Sequence, residues 1–350
     1  MPSSRPTDAV MRDSPIAGAS RQRSYAQAIQ EALAQAMRLD PNVFVMGQLV
    51  NYKSGVFGTT SGLVEEFGAA RVNDYPVAES SMTGLAVGAA LQGLRPVLVH
   101  QRIDFMMYAM DQLVNWAALW RFKSGGTSQL PLTIRTIVGK GWGQGPQHSK
   151  SFHAWFAHLP GIKVVMPATA FDAKGLLLRA IFDDDPVLVI EHRSLFSMVD
   201  AVPAEPYQLA FGKAKTRLEG EDLTMVAFGY LVPQALRVAQ RLREQGIRLE
   251  VIDPRTVSPL DTEAILTSVD KTRRLLVLDP AWRSAGLAAE VIAAAVERLG
   301  DRLRAKPRRI TLPDTHTPTS AALEAQYYPT DDMVCEAVQQ ALEERIQVAV

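Results

Sequence analysis

Apolar positions follow two alternating rhythms along most of the chain. In residues 24–38, SYAQAIQEALAQAMR, Ala26, Ile29, Leu33 and Met37 fall at helical spacing, and Ser24 stands ahead of them as a cap. Val43 to Met46 is a short apolar run ending at Gly47, the pattern of a buried strand; Gln48 and a glycine-containing loop, NYKSGVFGTTSG, come next. Small and apolar residues then run from Met82 to Leu91. They predict a helix packed closely against something, because Gly84 and Gly88 leave no side chain between backbones. Gly93 ends that helix and Pro96 opens a strand over Val97 to Val99. Phe105 begins FMMYAMDQLVNWAALWRF, predicted as one long apolar helix with Met107, Met110 and Leu113 in the core. Strands at Leu130 to Val138, Val164 to Met166 and Val187 to Glu191, with a helix from Ala170 to Phe182, complete a rhythm that predicts a parallel sheet covered on both faces.

The same alternation resumes later. Strands are predicted at Leu223 to Phe228, Leu249 to Ile252, Leu275 to Leu278 and Arg309 to Leu312, with helices between them. The prolines at 203 and 206 mark a linker. The fold class is therefore α/β with two domains, each a mainly parallel sheet flanked by helices. The expected boundaries are an arm at 1–22, a first domain at 23–200, a linker at 201–220 and a second domain at 221–350. The second domain shows no clustered acids, no histidine near an acid and no glycine fingerprint, so it reads as an assembly module.

Composition narrows the function classes. Lys plus Arg is 37 and Asp plus Glu is 37 over 350 residues, and a formal net charge of zero gives no footprint for nucleic acid or an anionic membrane. The one cysteine, Cys335, excludes an internal disulfide framework and fits a reducing cytoplasm. Residues 1–22 are rich in Ser, Pro, Ala and Arg, lack the apolar core of a signal peptide, and read as a flexible arm; no stretch is long enough to span a membrane. His153 and His158 are five apart and share no helix face, so no zinc site built by the protein is expected.

Candidate chemistry concentrates in DYPVAESSMTGLAVGAALQGLRPVLVHQRIDF, residues 74–105. One carboxylate, Glu79, sits at a helix entrance, where the helix dipole favours an acid in any protein. An aromatic, Phe105, stands just past the next strand, and in an α/β sheet both places can face one crevice. His100 and Arg102 lie in the same loop; Arg102 offers a fixed positive charge suited to a carboxylate or phosphate. The loop GKGWGQGPQHSKSFHAWFAH lacks the Lys-Ser/Thr of a phosphate cradle, and its glycines suit a loop shaped over a substrate entrance.

The order of blocks resembles one family. P-x-A-E-S around Glu79, a glycine-alanine helix, R-P-V, D-F at Phe105, M-D-Q at 110–112, S-G-G at 124–126, G-P-Q-H-S at 145–149, F-A-H-L-P-G at 156–161, D-A-K-G-L-L at 172–177 and D-P-R-T-V-S-P-L-D at 253–261 resemble the beta subunit of the decarboxylating component of 2-oxoacid dehydrogenases. These are thiamine-diphosphate enzymes of the transketolase-like superfamily. The resemblance implies a transketolase-like pyrimidine-binding domain followed by a transketolase C-terminal domain. It implies Glu79 as the acid on the coenzyme's pyrimidine nitrogen, Phe105 as the aromatic on the pyrimidine face, and His148 as a donor to the substrate adduct. Gln48 stands where the family often has an acid; an amide can hydrogen-bond there but cannot titrate. Ala180, Asp183 and Asp185, with Leu132 or Thr133 across the sheet, match a potassium turn. The Gly-Asp-Gly that holds the diphosphate through magnesium in such enzymes is absent from these residues, and the family carries it on an alpha subunit. The implied protein is thus the beta subunit of an α2β2 heterotetramer acting on a small 2-oxo acid, with a lipoyl acyltransferase as a further partner. Two alternatives remain open: a carboligase passing the acyl group to a sugar or other carbonyl, and a non-catalytic scaffold subunit.

Overall fold

A computed structural model of the chain describes residues 10–14 and 20–344. The chain forms two compact units. One comprises Met1–Gly139 with Trp155–Phe211, the other Lys140–Ala154 with Gly212–Val350. Among the described residues, no helix is long and apolar enough to cross a membrane.

The first unit opens with helix α1, Tyr25–Leu39. Ser24 caps it as expected: its hydroxyl accepts the Gln27 N–H while the Gln27 side chain accepts the Ser24 N–H, a reciprocal capping box. Strands β1 (Val43–Gly47), β2 (Val72–Asp74), β3 (Arg95–His100), β4 (Thr133–Val138), β5 (Lys163–Val165) and β6 (Val187–His192) follow. They lie in the order β5-β6-β4-β3-β1-β2 and all pair in parallel. Helix α2 (Glu79–Leu91) leads into β3, and the short helix α3 (Ile103–Met106) leaves it. Helix α4, Ala170–Ile181, is capped by Thr169 and joins β5 to β6. Nearly every residue of β3, β4 and β6 is buried, as strands covered on both faces must be.

Four expectations change here. The long apolar helix after Phe105 is broken: α3 runs into a short 3-10 turn at Met107–Ala109, a π-helical stretch at Asp111–Ala117 and a last turn at Trp120–Lys123. Met106, Ala109, Leu113 and Ala117 face the core, whereas Met107 and Met110 are only half-buried and Phe122 is 88% exposed. A segment apolar on every side has no single stripe to fix its phase, so its buried face is set by packing. Gly84 and Gly88 lie on the outward face of α2, and among the described residues nothing stands within 4 Å of where a Cβ on Gly88 would be. Within the expected flexible arm, Val10–Met11 pairs with Tyr207–Gln208 and the strand Ser20–Ser24 pairs antiparallel with Val199–Pro203. The remaining residues of that arm, 1–9 and 15–19, lie outside the described residues. The expected linker contains strands, and its last one joins the second sheet.

The second unit is a five-stranded sheet. Its strands are β7 (Lys215–Leu218), β8 (Leu223–Ala227), β9 (Leu249–Asp253), β10 (Leu275–Trp282) and β11 (Arg308–Leu312). The order is β7-β9-β8-β10-β11, parallel except for β7 at the edge. The Lys140–Ala154 segment, which follows β4 in sequence, packs with this unit.

Candidate active site

Sequence places Gln48 at the end of β1 and Glu79 at the start of α2; the fold brings them together. Gly47 has φ +148°, and a Cβ there would stand 2.3 Å from the Val99 carbonyl oxygen on β3. Only glycine permits that approach. The Gln48 N–H then donates to the same carbonyl at 3.3 Å, and the Gln48 side-chain Nε2 donates to Glu79 Oε1 at 2.9 Å. Glu79 is 7% exposed and sits on the first turn of α2, where unpaired N–H groups and the dipole favour negative charge. Among the described residues it pairs with no cation. A carboxyl group has two oxygens, so one amide contact leaves an oxygen that can share a proton with a ring nitrogen. The donor set fits a pyrimidine.

His100 closes β3 and is fully buried; its Nε2 lies 3.2 Å from Thr83 Oγ1 on α2. Burial pushes its pKa down to about 3, so the ring is neutral. Enclosed within the chain, His100 ties β3 to α2 through Thr83, and the expectation that it meets the substrate finds no exposed surface of the ring to support it. Two residues on, Arg102 is 7% exposed, and its Nη1 donates to the Gln101 carbonyl at 2.7 Å. Phe105, in α3, is half-buried.

His148 is half-buried on the Lys140–Ala154 segment and so belongs with the second unit, whereas Glu79, Gln48, Arg102 and Phe105 belong to the first. That segment is fastened at both ends. Lys140 Nζ lies 4.0 Å from the centre of the Tyr328 ring and 5.0 Å from that of Tyr230, and the Gly141 N–H donates to Glu324 at 2.8 Å. At the other end His153 Nε2 is 2.8 Å from Asp279 Oδ1, and Nδ1 is 2.9 Å from Ser151 Oγ. The expectation of no histidine near an acid concerns residues 221–350; His153 reaches Asp279 there from the segment that follows β4. His153 and Asp279 are 126 residues apart, and no local pattern links them. Burial alone would raise the Asp279 pKa; His153 and the N–H groups of Ala288 and Ala281 outweigh it and hold the carboxyl below its usual range.

The turn expected to hold potassium is rich in oxygen, but its carboxylates are already engaged. Asp183 holds Lys163 at 2.7 Å and Arg179 at 3.3 Å, and Asp185 holds Arg121 at 2.5 Å. The Asp183 carbonyl accepts Arg95 at 2.9 Å, the Ala180 carbonyl faces the N–H groups of Phe182 and Asp183, and the Leu132 carbonyl accepts the Val187 N–H and keeps a second lone pair. These carbonyls, rather than the side chains, are the part of the turn that fits a cation. Among the described residues no group of three or more His, Cys, Asp or Glu could hold a metal ion.

Comparison with known proteins supplies the wider setting. The family described as "Transketolase, pyrimidine binding domain" matches residues 21–198, and "Transketolase, C-terminal domain" matches residues 212–334. The acetoin:2,6-dichlorophenolindophenol oxidoreductase subunit beta of Bacillus subtilis (strain 168) is 42% identical over 323 residues, covering 89% of this chain and 94% of that one. The pyruvate dehydrogenase E1 component subunit beta of the same organism is also 42% identical, covering 92% and 99%. Its 2-oxoisovalerate dehydrogenase subunit beta is 39% identical, covering 92% and 98%. Among solved structures, "Split gene transketolase, inactive beta4 tetramer" superposes with a TM-score of 0.74 at 22% identity, covering 92% of this chain and 99% of that one, which is a likeness of fold.

Proposed function

The chain belongs to the family of 2-oxoacid dehydrogenase beta subunits built from transketolase pyrimidine-binding and C-terminal domains, and from that membership we propose that it is the beta half of a heteromeric, thiamine-diphosphate-dependent enzyme that decarboxylates a 2-oxo acid and passes on the acyl group. The observation that carries the proposal is the buried Glu79 carboxylate, engaged by the Gln48 amide and, among the described residues, by no cation. When bound, thiamine diphosphate supplies a carbon nucleophile. The chain's own part is to hold a proton between Glu79 and a pyrimidine nitrogen, to orient Glu79 through Gln48, and to offer the Phe105 ring as an apolar wall. His148 is assigned as a hydrogen-bond donor to the oxygen on which charge develops.

Magnesium and the diphosphate fall to an alpha partner in an α2β2 assembly. Two features support this: the relatives are beta subunits by name, and no Gly-Asp-Gly occurs in these residues. Potassium is proposed at the carbonyls of Ala180, Asp183 and Leu132. A lipoyl group is the acceptor this reading favours, and the cytoplasm is the proposed location. The buried Arg102 charge favours a second reading, in which a carboligase uses an anionic carbonyl acceptor.

The test is calorimetric titration of thiamine diphosphate and magnesium into this chain alone, then into its mixture with an alpha-type partner. The chain alone should bind poorly and turn nothing over, and the mixture should do both. Micromolar binding and decarboxylation by the chain alone would refute the half-site reading.

A further inference from the structure

The loop after β1 carries an unusual convergence of charge. Phe57 sits on it with φ +61°, next to Val56 at φ +35°, both left-handed for residues with a Cβ. Such conformations persist where surrounding structure fixes them, and they cluster at ligand clamps. The Phe57 ring lies 5.9 Å from that of Phe196. The Arg102 guanidinium carbon is 5.3 Å from the centre of the Phe57 ring, and the Arg193 guanidinium carbon is 4.6 Å from it. Arg102 follows β3, Arg193 follows β6 and the Phe57 loop follows β1. All three therefore rise from the C-terminal edge of the first sheet, the edge that also carries Gln48.

Arg102 is buried, and its Nε has no hydrogen-bond partner among the described residues. Burial disfavours its charged form most; of the nearby charges, Asp104 favours that form and Arg193 opposes it. A cation over an aromatic ring gains something, but the ring supplies no acceptor for a buried N–H. The buried Arg102 Nε therefore has donor capacity that nothing among the described residues meets. The planar guanidinium fork matches a carboxylate or a phosphate.

We propose that Arg102 and Arg193, both held against Phe57, form an anion subsite that seats a carboxylate or phosphate carried by a substrate. The proposal rests on the reading of this sheet edge as the active site. It adds Arg193 and Phe57 to that site, and it gives the substrate an anionic group recognised by this chain.

The test uses the complex with an alpha-type partner and compares wild type with Arg102→Ala, Arg193→Ala and Arg102→Lys. Each alanine variant should raise the KM for an anionic substrate roughly 10- to 100-fold, the loss of a charged hydrogen bond. Hydrogen–deuterium exchange at the thiazolium carbon should stay unchanged. Arg102→Lys should recover part of the loss, since it keeps the charge but not the fork. A rise confined to the 2-oxo acid identifies its carboxylate as the occupant; a rise confined to the acceptor identifies an anion there. Unchanged KM values with a lowered melting temperature would overturn the proposal and leave the arginines as packing for the Phe57 loop.

A second measurement is independent of turnover. Inorganic phosphate, against chloride at equal ionic strength, should raise the melting temperature of the full chain and should not do so in Arg193→Ala. Equal melting temperatures in the two salts would also overturn the subsite. Absence of any thiazolium exchange in the wild-type complex would instead refute the thiamine reading, and the phosphate measurement would still decide the subsite.

Discussion

Glu79 and Glu191 are both buried glutamates of the first unit, and their surroundings are opposite. Glu191, on β6, receives Arg135 from β4 in a two-bond fork, Nε to Oε1 at 2.6 Å and Nη2 to Oε2 at 2.9 Å, with both side chains fully enclosed. Glu79 receives one amide. A guanidinium fixes a carboxylate in its ionised form and makes it part of the framework. An amide holds a carboxyl group in place without fixing its protonation state. The sheet centre thus ties its buried carboxylate into a cross-strand ion pair, whereas the sheet edge holds Glu79 by a neutral amide alone. The two predictions with the largest effects test that division.

Glu79→Gln should fold and assemble normally, yet slow hydrogen–deuterium exchange at the thiazolium carbon by about 10²- to 10⁴-fold, the usual worth of general acid–base catalysis. The readout is exchange in the reconstituted complex. An unchanged rate would place the acid elsewhere and dissolve the contrast with Glu191.

Glu191→Gln should do the reverse. It leaves the Arg135 guanidinium buried without its countercharge, which typically costs about 3–5 kcal/mol. Urea unfolding should show that loss, while the folded fraction keeps its exchange rate. A variant as stable as wild type would mean that water reaches Arg135.

Asp279 extends the comparison to the second unit, where a buried carboxylate is held by a histidine and backbone N–H groups. Its folded pKa lies below the ordinary 3.8, so the unfolded chain takes up the proton first as pH falls. The stabilisation is fully present above the unfolded value and disappears as pH drops through the folded one. Asp279→Asn should therefore be less stable than wild type at neutral pH by about 2 kcal/mol, the scale of charged hydrogen bonds. The gap should close below pH 3.8. Urea midpoints measured stepwise from neutral to acid pH check this, and a gap independent of pH would show that the carboxylate charge is not what holds His153.

What could be read from the sequence follows from how each feature is encoded. The Ser24 cap, the strand runs and the carboxylate at the entrance of α2 are local patterns, and the structure keeps them. The Arg135–Glu191 pair is hidden because each residue sits within a run that otherwise reads as a buried apolar strand, and only the register of β4 against β6 brings them together. Ser20–Ser24 reads SRQRS, with no apolar alternation, so its pairing with Val199–Pro203 leaves no trace in the pattern. Arg193 stands on a turn after β6 and shows its relation to Arg102 only through the ring they share. The Gln48–Glu79 contact depends on a backbone approach at Gly47, but a glycine at a strand end serves equally well for a bulge or a turn, so the residue alone does not reveal it.

The smallest expected effect comes from changing the group beside the acid. Gln48→Glu would set a second carboxyl where the amide now donates to Glu79 at 2.9 Å. Two carboxyl groups that close resist joint ionisation and share a proton, so the pair would titrate with a raised apparent pKa. The protonated form would then persist to higher pH. The thiazolium exchange profile should shift to the alkaline side by about one pH unit, with the rate near neutrality changing less than roughly tenfold. Folding should be nearly unaffected, because the shared proton replaces the amide hydrogen bond. A superimposable pH profile would show that the residue at 48 does not touch Glu79 in the working enzyme. A large loss of stability would show that both carboxyls ionise, and that the amide is present to keep charge off this edge of the sheet.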